Sequence, residues 1–447
     1  MINRLMSVPI ALLAVTGLAR AVEFERIVID DNFPGAYQVE VADVNGDKKP
    51  DVIAVGGGTC AWYENPTWKK RIVTTPKQTP GIISSATADL DGDGKAEIAI
   101  AYEFSMNQPT KGKLLVAKQG KTTDEAWTTT HVADVGSIHR LRWFVHTSRI
   151  QGAADANGRP GPLVETKSRD LIVAPIFGPS AKPPAFQEEP AHLGWFPTRN
   201  LPRPPEGPRP DKFVAGSRPL PKGLPPAYRR ADPPLIGPPA EDSTAGRPIP
   251  SPVGDAPVMH AIDVIDAGGI LAASNLGVTL FYPAITDGAS VTYLANQLVS
   301  GAPGAAPKKG ASEVHTGTLK GKRRFLATVE PWHGTDVAVY LSETPRLDKL
   351  GPRNVIDSSL KEGHALWVAD VDGDGDDEIF AGYRGKGTSV LMYDFNGKSW
   401  DRTVVDPAIA AQDLRGGDLD GDGVPDVVAV GGSTRNVVWY RPVRKPR

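Results

Sequence analysis

The stretch ALWVADVDGDGDDEIFAGYRG, residues 365–385, places an acidic segment between two apolar runs. Five aspartates and one glutamate fall within the nine positions from Asp370 to Glu378. Carboxylates packed this closely repel one another unless a cation lies among them. The segment therefore predicts a cation-binding turn that joins two strands.

The acidic segment occurs four times, beginning at Asp43, Asp89, Asp370 and Asp418. Each copy has acidic or amide side chains at positions 1, 3 and 5 and an acid at position 9. This spacing lets side-chain oxygens, with the carbonyl of position 7, converge on a hard cation such as calcium. The predicted calcium ligands are Asp43, Asn45, Asp47 and Asp51; Asp89, Asp91, Asp93 and Glu97; Asp370, Asp372, Asp374 and Glu378; and Asp418, Asp420, Asp422 and Asp426.

These segments are not EF-hands, which need flanking helices and a glutamate at position 12. Position 12 is Ala54, Ile100, Ala381 or Ala429, and strand-like runs follow each copy. In the first copy Lys48 replaces the glycine that eases the turn in the other three. A set of solvated acidic turns without an ion is the alternative interpretation.

The spacing of the segments predicts the architecture. Asp43 and Asp89 are 46 residues apart, and Asp370 and Asp418 are 48 apart. A period of this size with several short strands per unit is typical of propeller blades. Three further units without the acidic segment begin at 137–143 (SIHRLRW), 258–263 (VMHAID) and 312–317 (SEVHTG). We therefore predict an all-β, seven-bladed β-propeller over residues 22–447, whose last blade is completed by FERIVID at 24–30.

The first 21 residues have the pattern of a secretory signal peptide. Arg4 gives a positive start, residues 5–18 are mostly apolar, and Ala19–Ala21 fit a small-x-small cleavage site. This apolar run is too short to span a bilayer, and no other segment resembles a membrane span. The pattern predicts a secreted or periplasmic protein, with a buried N-terminal strand or helix as the alternative. The lone cysteine, Cys60, excludes an intramolecular disulfide, so calcium would be the structural staple.

Composition narrows the function further. The net charge of −2 provides no basic field for nucleic acid. The 47 glycines and 42 prolines favour short strands and turns. Residues 179–257 contain 22 of those prolines, too many for a strand-rich core, and predict an insertion. Composition alone does not decide whether the insertion is a lid, a partner site or a disordered segment.

Four histidines are predicted to meet on one face of the ring. In a propeller blade the innermost strand comes first, so the acidic loops that follow it all lie on one face. His139, His260 and His364 begin innermost strands, and His333 follows a second strand. We expect all four on the opposite face, near the axis. Individually, each could instead be a structural histidine.

Other polar side chains are predicted on the same face. Glu330 precedes Trp332, and Arg384 follows a second strand. Imidazole, carboxylate and guanidinium around a cleft can bind a polar substrate and move protons at neutral pH. Three imidazoles can also hold zinc with an open position. The candidate catalytic residues are His333, His364, His139, Glu330 and Arg384.

Two resemblances follow from these motifs. The acidic loops resemble the FG-GAP/VCBS calcium repeats of integrin-type propellers. The motifs HRLRW, LIVAPIFGP, SEVHTG, ATVEPWHGTDVAVY and GHALWVADVDGDG resemble the propeller domain of aldos-2-ulose dehydratase/isomerase and its bacterial relatives. In that family the propeller eliminates water from an oxidised sugar, and its cleft holds a histidine-bound zinc. The resemblance implies a metal role for His139, His260 and His364 and proton transfer by His333.

The sequence leaves three functions open. The first is a secreted lyase or dehydratase that acts by β-elimination on an oxidised sugar or a uronate-containing glycan, with calcium and zinc as cofactors. The second is a non-catalytic, calcium-stabilised FG-GAP propeller that binds glycans or proteins. A hydrolase using the same cleft is the third, and it would give saturated products. Neither a GxSxG nor an HExxH motif is present.

Overall fold

Seven four-stranded antiparallel sheets make up the described part of the chain. The computed structural model describes residues 22–151, 159, 163–183, 186, 190–197, 251–265, 269–285 and 291–443. Apart from a 3-10 turn at Lys320–Lys322, the regular elements of these residues are strands. The predicted all-β, seven-bladed propeller is confirmed.

The strands follow one another blade by blade. The first strand of the described residues is β1 (Glu23–Asp30), which belongs to blade 7. Blade 1 contains β2 (Ala36–Ala42), β3 (Asp51–Gly56), β4 (Thr59–Glu64) and β5 (Lys69–Thr74). Blade 2 contains β6 (Ser84–Ala88), β7 (Glu97–Tyr102), β8 (Lys113–Lys118) and β9 (Thr128–Asp134). Blade 3 contains β10 (Ile138–Gln151), β11 (Leu163–Pro175), β12 (Ala191–Pro197) and β13 (Ser251–Ala256). Blade 4 contains β14 (Ala261–Ile265), β15 (Gly269–Ser274), β16 (Gly277–Ile285) and β17 (Val291–Val299).

The remaining three blades complete the ring. Blade 5 contains β18 (Glu313–Leu319), β19 (Arg323–Glu330), β20 (Asp336–Leu341) and β21 (Asn354–Asp357). Blade 6 contains β22 (Gly363–Ala369), β23 (Glu378–Tyr383), β24 (Ser389–Phe395) and β25 (Trp400–Asp406). Blade 7 contains β26 (Ala411–Gly417), β27 (Asp426–Gly431), β28 (Asn436–Val443) and β1.

The core lies between neighbouring blades. Second strands such as β3 and β27 are buried at every residue, because both faces of a blade pack against the blades beside it. Val52 and Tyr63 of blade 1 thus share one apolar cluster with Val428 and Trp439 of blade 7. Outer strands such as β1 contain only exposed and partly buried residues. Burial on both faces explains why the second strands read as continuous apolar runs.

Blade 7 is built from both ends of the chain. Strand β1 pairs antiparallel with β28, from Glu23 opposite Val443 to Asp30 opposite Val437. The residues predicted to complete the last blade therefore do so. Closure leaves the ring without a gap between its last and first blades, and so without a long unpaired strand edge there.

The four acidic loops connect the innermost strand to the second strand in blades 1, 2, 6 and 7. We call the side on which they lie the loop face, and the side where the innermost strands begin the histidine face. Lys48 of the first loop has φ +69°, where Gly94, Gly375 and Gly423 have φ between +86° and +93°. Left-handed backbone is costly for a lysine, as the sequence indicated for this copy.

The predicted proline-rich insertion falls within blade 3. Its assigned range, 179–257, includes the blade strands β12 and β13. Residues 198–250 lie outside the described residues, between these two strands. The predicted signal peptide, residues 1–21, also lies outside them. Among the residues that the structure describes, no helix has the length and hydrophobicity of a membrane span.

The same kind of polar contact joins the blades in three neighbouring pairs, and we call it the inter-blade latch. An aspartate that ends the outer strand of one blade accepts a hydrogen bond from a tyrosine on the third strand of the next blade. A cation on that blade's outer strand completes each latch. The three latches are Asp30 with Tyr63 (2.6 Å) and Lys70 (2.7 Å), Asp357 with Tyr393 (2.8 Å) and Arg402 (2.9 Å), and Asp406 with Tyr440 (2.7 Å) and Arg26 (2.7 Å).

Candidate functional site

Four innermost strands begin with a β-bulge on the histidine face. The bulged residues are Tyr37 of β2, His139 of β10, His364 of β22 and Gln412 of β26. A bulge leaves one residue unpaired and redirects its side chain. His260 occupies the residue directly before β14, at the same end of its blade. The fold thus directs side chains from five blades toward the axis at one level.

The structure brings the four predicted histidines together. We call His139, His260, His333 and His364 the histidine cluster. The ring centroid of His260 lies 4.8 Å from the ring centroid of His139, 4.9 Å from that of His333 and 5.0 Å from that of His364. The side chains of His139, His260 and His364 are at most 2% exposed. Residues that are 225 positions apart in the chain therefore form one compact buried group.

Backbone carbonyls fix the tautomers of three of these histidines. The Nδ1 atom of His139 lies 2.9 Å from the carbonyl oxygen of His260, and that of His260 lies 3.1 Å from the carbonyl of Ser312. The Nδ1 atom of His364 lies 2.7 Å from the carbonyl of Gln412. A carbonyl oxygen only accepts, so each Nδ1 carries the proton. All three rings therefore present an Nε2 lone pair to the centre of the cluster.

His333 has the opposite tautomer. Nη2 of Arg384 lies 3.2 Å from Nδ1 of His333, and a guanidinium only donates. The proton of the neutral ring is therefore on Nε2, 3.1 Å from Nε2 of His260, to which it donates. His333 also has φ +47°, in a region that non-glycine residues seldom occupy and that is concentrated at functional sites.

Burial keeps the histidine cluster neutral. Desolvation is the largest effect on all four rings and lowers each pKa well below 6.5, and nearby cations such as Arg140 and Arg384 lower it further. Neutral imidazole is the form that accepts protons and binds metals. At neutral pH the cluster therefore offers three lone pairs and one N–H group.

Tyr37 is a member of the site that the sequence analysis missed. Its hydroxyl donates to Nε2 of His139 at 2.8 Å and lies 3.3 Å from Nε2 of His364. The guanidinium of Arg140 lies over its ring, 5.3 Å from the centroid. A signal was available, since Tyr37 precedes Asp43 by six residues, as His364 precedes Asp370. Alignment of the blades on their acidic loops places both side chains at the same bulge.

Two groupings of the histidines are compatible with a metal ion. By distance, ligand atoms of His260, His333 and His364 lie within 4.8 Å of one another. By tautomer, the unprotonated Nε2 atoms belong to His139, His260 and His364, the set predicted from sequence; those of His139 and His260 accept hydrogen bonds from Tyr37 and His333, which a metal ion would replace. His333 would have to give up its Nε2 proton while Arg384 still occupies its Nδ1 lone pair. The tautomers therefore favour the predicted set.

Arg384 is held at the edge of the cluster. Its Nε lies 3.2 Å from Oε2 of Glu362, and its Nη1 donates to Oε1 of Gln412 at 3.1 Å. Its side chain is 23% exposed, so one positive charge borders the buried rings and still reaches solvent. Lys308 adds a second cation nearby, and its Nζ donates to the carbonyl of Trp332 at 2.8 Å. This edge of the site is suited to an anionic group.

Glu330 is in the wall of blade 5. Its carboxylate accepts from Thr328 Oγ1 and the Tyr340 hydroxyl, both at 2.8 Å, and from Arg353 Nε at 2.6 Å. None of these partners belongs to the histidine cluster. Glu330 therefore fastens β19 and β20 to the residue that precedes β21, and we do not carry its predicted catalytic role into the proposed site.

Glu313 is the carboxylate nearest the cluster. Its Oε1 lies 2.9 Å from Nδ1 of His260, and Nη2 of Arg140 is 3.9 Å from the same oxygen. Burial raises the pKa of Glu313 to about 7, although Arg140 opposes the shift. The group beside His260 is thus a carboxyl that titrates near neutral pH.

An aromatic layer covers the histidine cluster. The Phe104 ring lies 5.5 Å from that of His139, and the Trp332 ring lies 5.0 Å from that of His333. Phe177 and Phe186 stack at 4.3 Å and meet Trp332 edge-on. This layer restricts the access of water to the rings, which strengthens electrostatic interactions among them.

The acidic loops share one conformation on the loop face. In each loop the carboxylate at position 9 accepts the backbone N–H of position 2, at 2.8–3.0 Å. Three loops of the described residues group their carboxylates as a cation site requires; they contain Asp89, Asp91 and Glu97; Asp370, Asp372 and Asp374; and Asp418, Asp420 and Asp426.

Glu378 gives an independent indication of a cation site. Its side chain is fully buried, and its Oε1 has no hydrogen-bond partner among the residues that the structure describes. Burial raises the pKa of Glu378 to about 9, and Asp372 and Asp394 add to the shift. A buried carboxylate oxygen without a donor is costly unless a metal ion binds it. The residues of this loop therefore fit a calcium ion.

Comparison with known proteins supports the repeat. The FG-GAP-like repeat family matches residues 33–100, which cover blade 1 and the first two strands of blade 2, and residues 364–441, which cover blade 6 and most of blade 7. Together with the fold, this match defines the class: the chain is a seven-bladed β-propeller with FG-GAP-like repeats. No curated protein matches the sequence.

Two solved structures are similar in shape. One is BBS1N in complex with ARL6DN, with 11% identity and a TM-score of 0.45 over 93% of this chain and 96% of that one. The other is a putative 6-phosphogluconolactonase from Bacteroides uniformis ATCC 8492, with 12% identity and a TM-score of 0.43 over 93% of each chain.

Proposed function

We propose that the chain is an exported carbon–oxygen lyase that acts by β-elimination on an oxidised sugar or a uronate-containing glycan. The observation that carries the proposal is the convergence of four imidazoles and one phenol, in which Tyr37 is within hydrogen-bond distance of His139 and His364, and His333 is within hydrogen-bond distance of His260. Export is part of the proposal and rests on the sequence pattern of residues 1–21.

The chain's own residues can move the protons of such a reaction. A C–H bond next to a carbonyl or carboxylate breaks, its electron pair forms a C=C bond, and the neighbouring C–O bond breaks. Nε2 of His364 accepts the proton as general base. The Tyr37 hydroxyl protonates the departing oxygen and regains its proton from His364, 3.3 Å away. The products are an unsaturated sugar and water or an alcohol.

The negative charge that develops on the substrate carbonyl oxygen would lie near two donors, His333 and Arg384. Nε2–H of His333 would exchange its hydrogen bond to His260 for one to that oxygen, and the guanidinium of Arg384 holds the ring in this tautomer. A neutral imidazole N–H in a water-poor site stabilises an enolate without first losing a proton. The positive charge of Arg384 also suits a substrate carboxylate.

Zinc is the second proposed cofactor, beside calcium in the acidic loops. As an alternative to proton abstraction by His364, since both uses need the same Nε2 lone pair, His139, His260 and His364 would hold zinc through the Nε2 atoms that their backbone hydrogen bonds direct inward. When bound, zinc would supply Lewis-acid polarisation of a substrate oxygen.

The test is the appearance of an unsaturated product. Oxidised sugars and uronate-containing polysaccharides are screened for a product that absorbs in the ultraviolet. We expect His333→Ala and His364→Ala each to lower the rate by about 100-fold or more, because each removes a proton-transferring or stabilising group. His131→Ala, at an exposed site on β9, is the matched control. Full activity in both cluster variants would reject the site.

A non-catalytic propeller that binds glycans or proteins is the second candidate. The burial of the histidine cluster under Phe104 and Trp332 favours it, because a closed aromatic layer stabilises a fold without substrate access. Metal analysis after dialysis separates the two functions. Calcium with about one zinc per chain favours the enzyme, and calcium alone favours the binding protein.

A further inference from the structure

The four acidic loops differ in the residue that faces them from the third strand. We call the residue opposite loop position 9 the facing residue. It is the residue that extends the ladder between the second and third strands by one pair. Ile98 pairs with Ala117, so Glu97 lies opposite Lys118; Ile379 pairs with Tyr393, so Glu378 lies opposite Asp394. The facing residues are Glu64 for the loop at 43–51, Lys118 for 89–97, Asp394 for 370–378 and Arg441 for 418–426.

In blade 2 the facing residue places a positive charge among the predicted calcium ligands. Nζ of Lys118 lies 3.0 Å from Oε1 of Glu97 and 3.6 Å from Oδ2 of Asp93, and it forms a short ion pair with Asp91. The ammonium therefore contacts three of the four carboxylates assigned to this loop. Its side chain is 27% exposed, so the pairing is partly shielded from solvent.

The other basic facing residue does not enter its loop. Arg441 pairs with Glu25 of β1, and its Nη1 is 4.0 Å from the nearest loop carboxylate, Asp420. The guanidinium also lies over Trp439, 5.6 Å from the ring centroid. Glu25 thus draws this cation away from the loop at 418–426.

The loop at 370–378 has an acidic facing residue instead. Asp394 adds a carboxylate there, and Oε1 of Glu378 has no partner among the described residues. Lys320 approaches this loop from blade 5 but pairs with Asp374 at 2.7 Å and Asp376 at 3.3 Å, on a side chain that is 58% exposed. The oxygens of Asp370, Asp372 and Glu378 remain free of that ammonium.

We propose that Lys118 serves as the internal cation of the loop at 89–97, so that this loop holds no calcium while the loop at 370–378 does. An ammonium bound to three carboxylates already relieves their mutual repulsion. A calcium ion would have to displace it or accept a like charge within contact distance. The inference rests on the proposed calcium role of the acidic loops and revises it for one of them.

The test counts calcium ions per chain by native mass spectrometry at saturating calcium. We expect Lys118→Met, which keeps the aliphatic stem and removes the charge, to bind one more ion than the wild type. Lys320→Met is the matched control and should leave the number unchanged, because Lys320 does not contact Glu378 or Asp370. Lys118→Gln provides a second variant, and circular dichroism verifies that each is folded.

The outcomes separate this inference from the calcium proposal. One additional ion in both Lys118 variants supports the internal cation. Equal, non-zero numbers in the wild type and the Lys118 variants overturn it and leave calcium binding intact. No calcium in any of these proteins overturns both.

Discussion

Glu378 links the acidic loop of blade 6 to pH. Its carboxyl is buried, and its pKa in the metal-free fold is raised to about 9, above the ordinary value of 4.5. The folded chain therefore retains a proton that the unfolded chain releases, so this group destabilises the metal-free fold progressively as pH rises from about 5 to about 9. Calcium binding requires the ionised form and is coupled to release of that proton.

We therefore expect calcium to raise the melting temperature more at about pH 8 than at about pH 5. Thermal unfolding with and without a chelator at both pH values measures this difference. Glu378→Gln should weaken both the pH dependence of the metal-free chain and the effect of calcium. The same calcium-induced shift at both pH values, or in the variant, would contradict the assignment.

Single residues were predicted with mixed success. The acidic residues and the histidines stand out because each follows or precedes a recognisable strand at a fixed place in its blade. Tyr37 was missed because a tyrosine in a strand is ordinarily packing, and only its place at a bulge distinguishes it. The pairing of Glu330 on β19 with Arg353, 23 positions later and just before β21, was indicated by no local pattern.

The inter-blade latch is a repeated contact between elements, and Tyr440 provides its clearest test. Its hydroxyl donates to Asp406, whose side chain is 2% exposed. We expect Tyr440→Phe to destabilise the chain by about 1–3 kcal/mol, because a buried carboxylate loses one donor. Urea unfolding measures the loss.

A second tyrosine provides the control for the latch. The Tyr383 hydroxyl donates to the carbonyl of Gly387 in an exposed turn, so Tyr383→Phe should change stability by about 0.5 kcal/mol or less. If the two variants unfold at the same urea concentration, the latch contributes nothing measurable beyond an ordinary surface hydrogen bond.

Elements were easier to predict than the contacts among them. Strands that follow an acidic loop can be recognised in the sequence as runs of Val, Ile and Ala, because they are buried on both faces. The bulges at His139 and His364 could not be predicted, since a one-residue register shift depends on the partner strand. The tautomers depend in turn on carbonyls of the next blade, such as that of Ser312, which no sequence pattern places.

At the scale of the whole molecule, strand β1 closes the ring. Its ladder with β28 runs from Glu23 to Asp30, and an ion pair joins Arg26 to Asp406. Removal of residues 22–30 should lower stability by on the order of 5 kcal/mol, because the backbone hydrogen bonds of a full strand are lost. It also exposes β28 as a free edge, which favours self-association.

Thermal unfolding and light scattering test this expectation, with a chain that begins at residue 22 as the control. A monomeric truncated protein with an unchanged melting temperature would show that β1 does not hold the ring closed.

The seven-bladed architecture itself followed from the repeat period. Its least predictable part is blade 3, where the proline-rich range interrupts the strands and no acidic loop marks the register.

Pairing of the first strand with the last also constrains how the protein is made. Glu23 is among the first described residues to leave the ribosome, and its partner Val443 is among the last. The N-terminal strand therefore stays unpaired until all the strands from β2 to β28 have been synthesised. A nascent chain that stops before β28 cannot complete blade 7 and presents an open edge to proteases and chaperones. Closure of the ring thus requires that every described blade has been made.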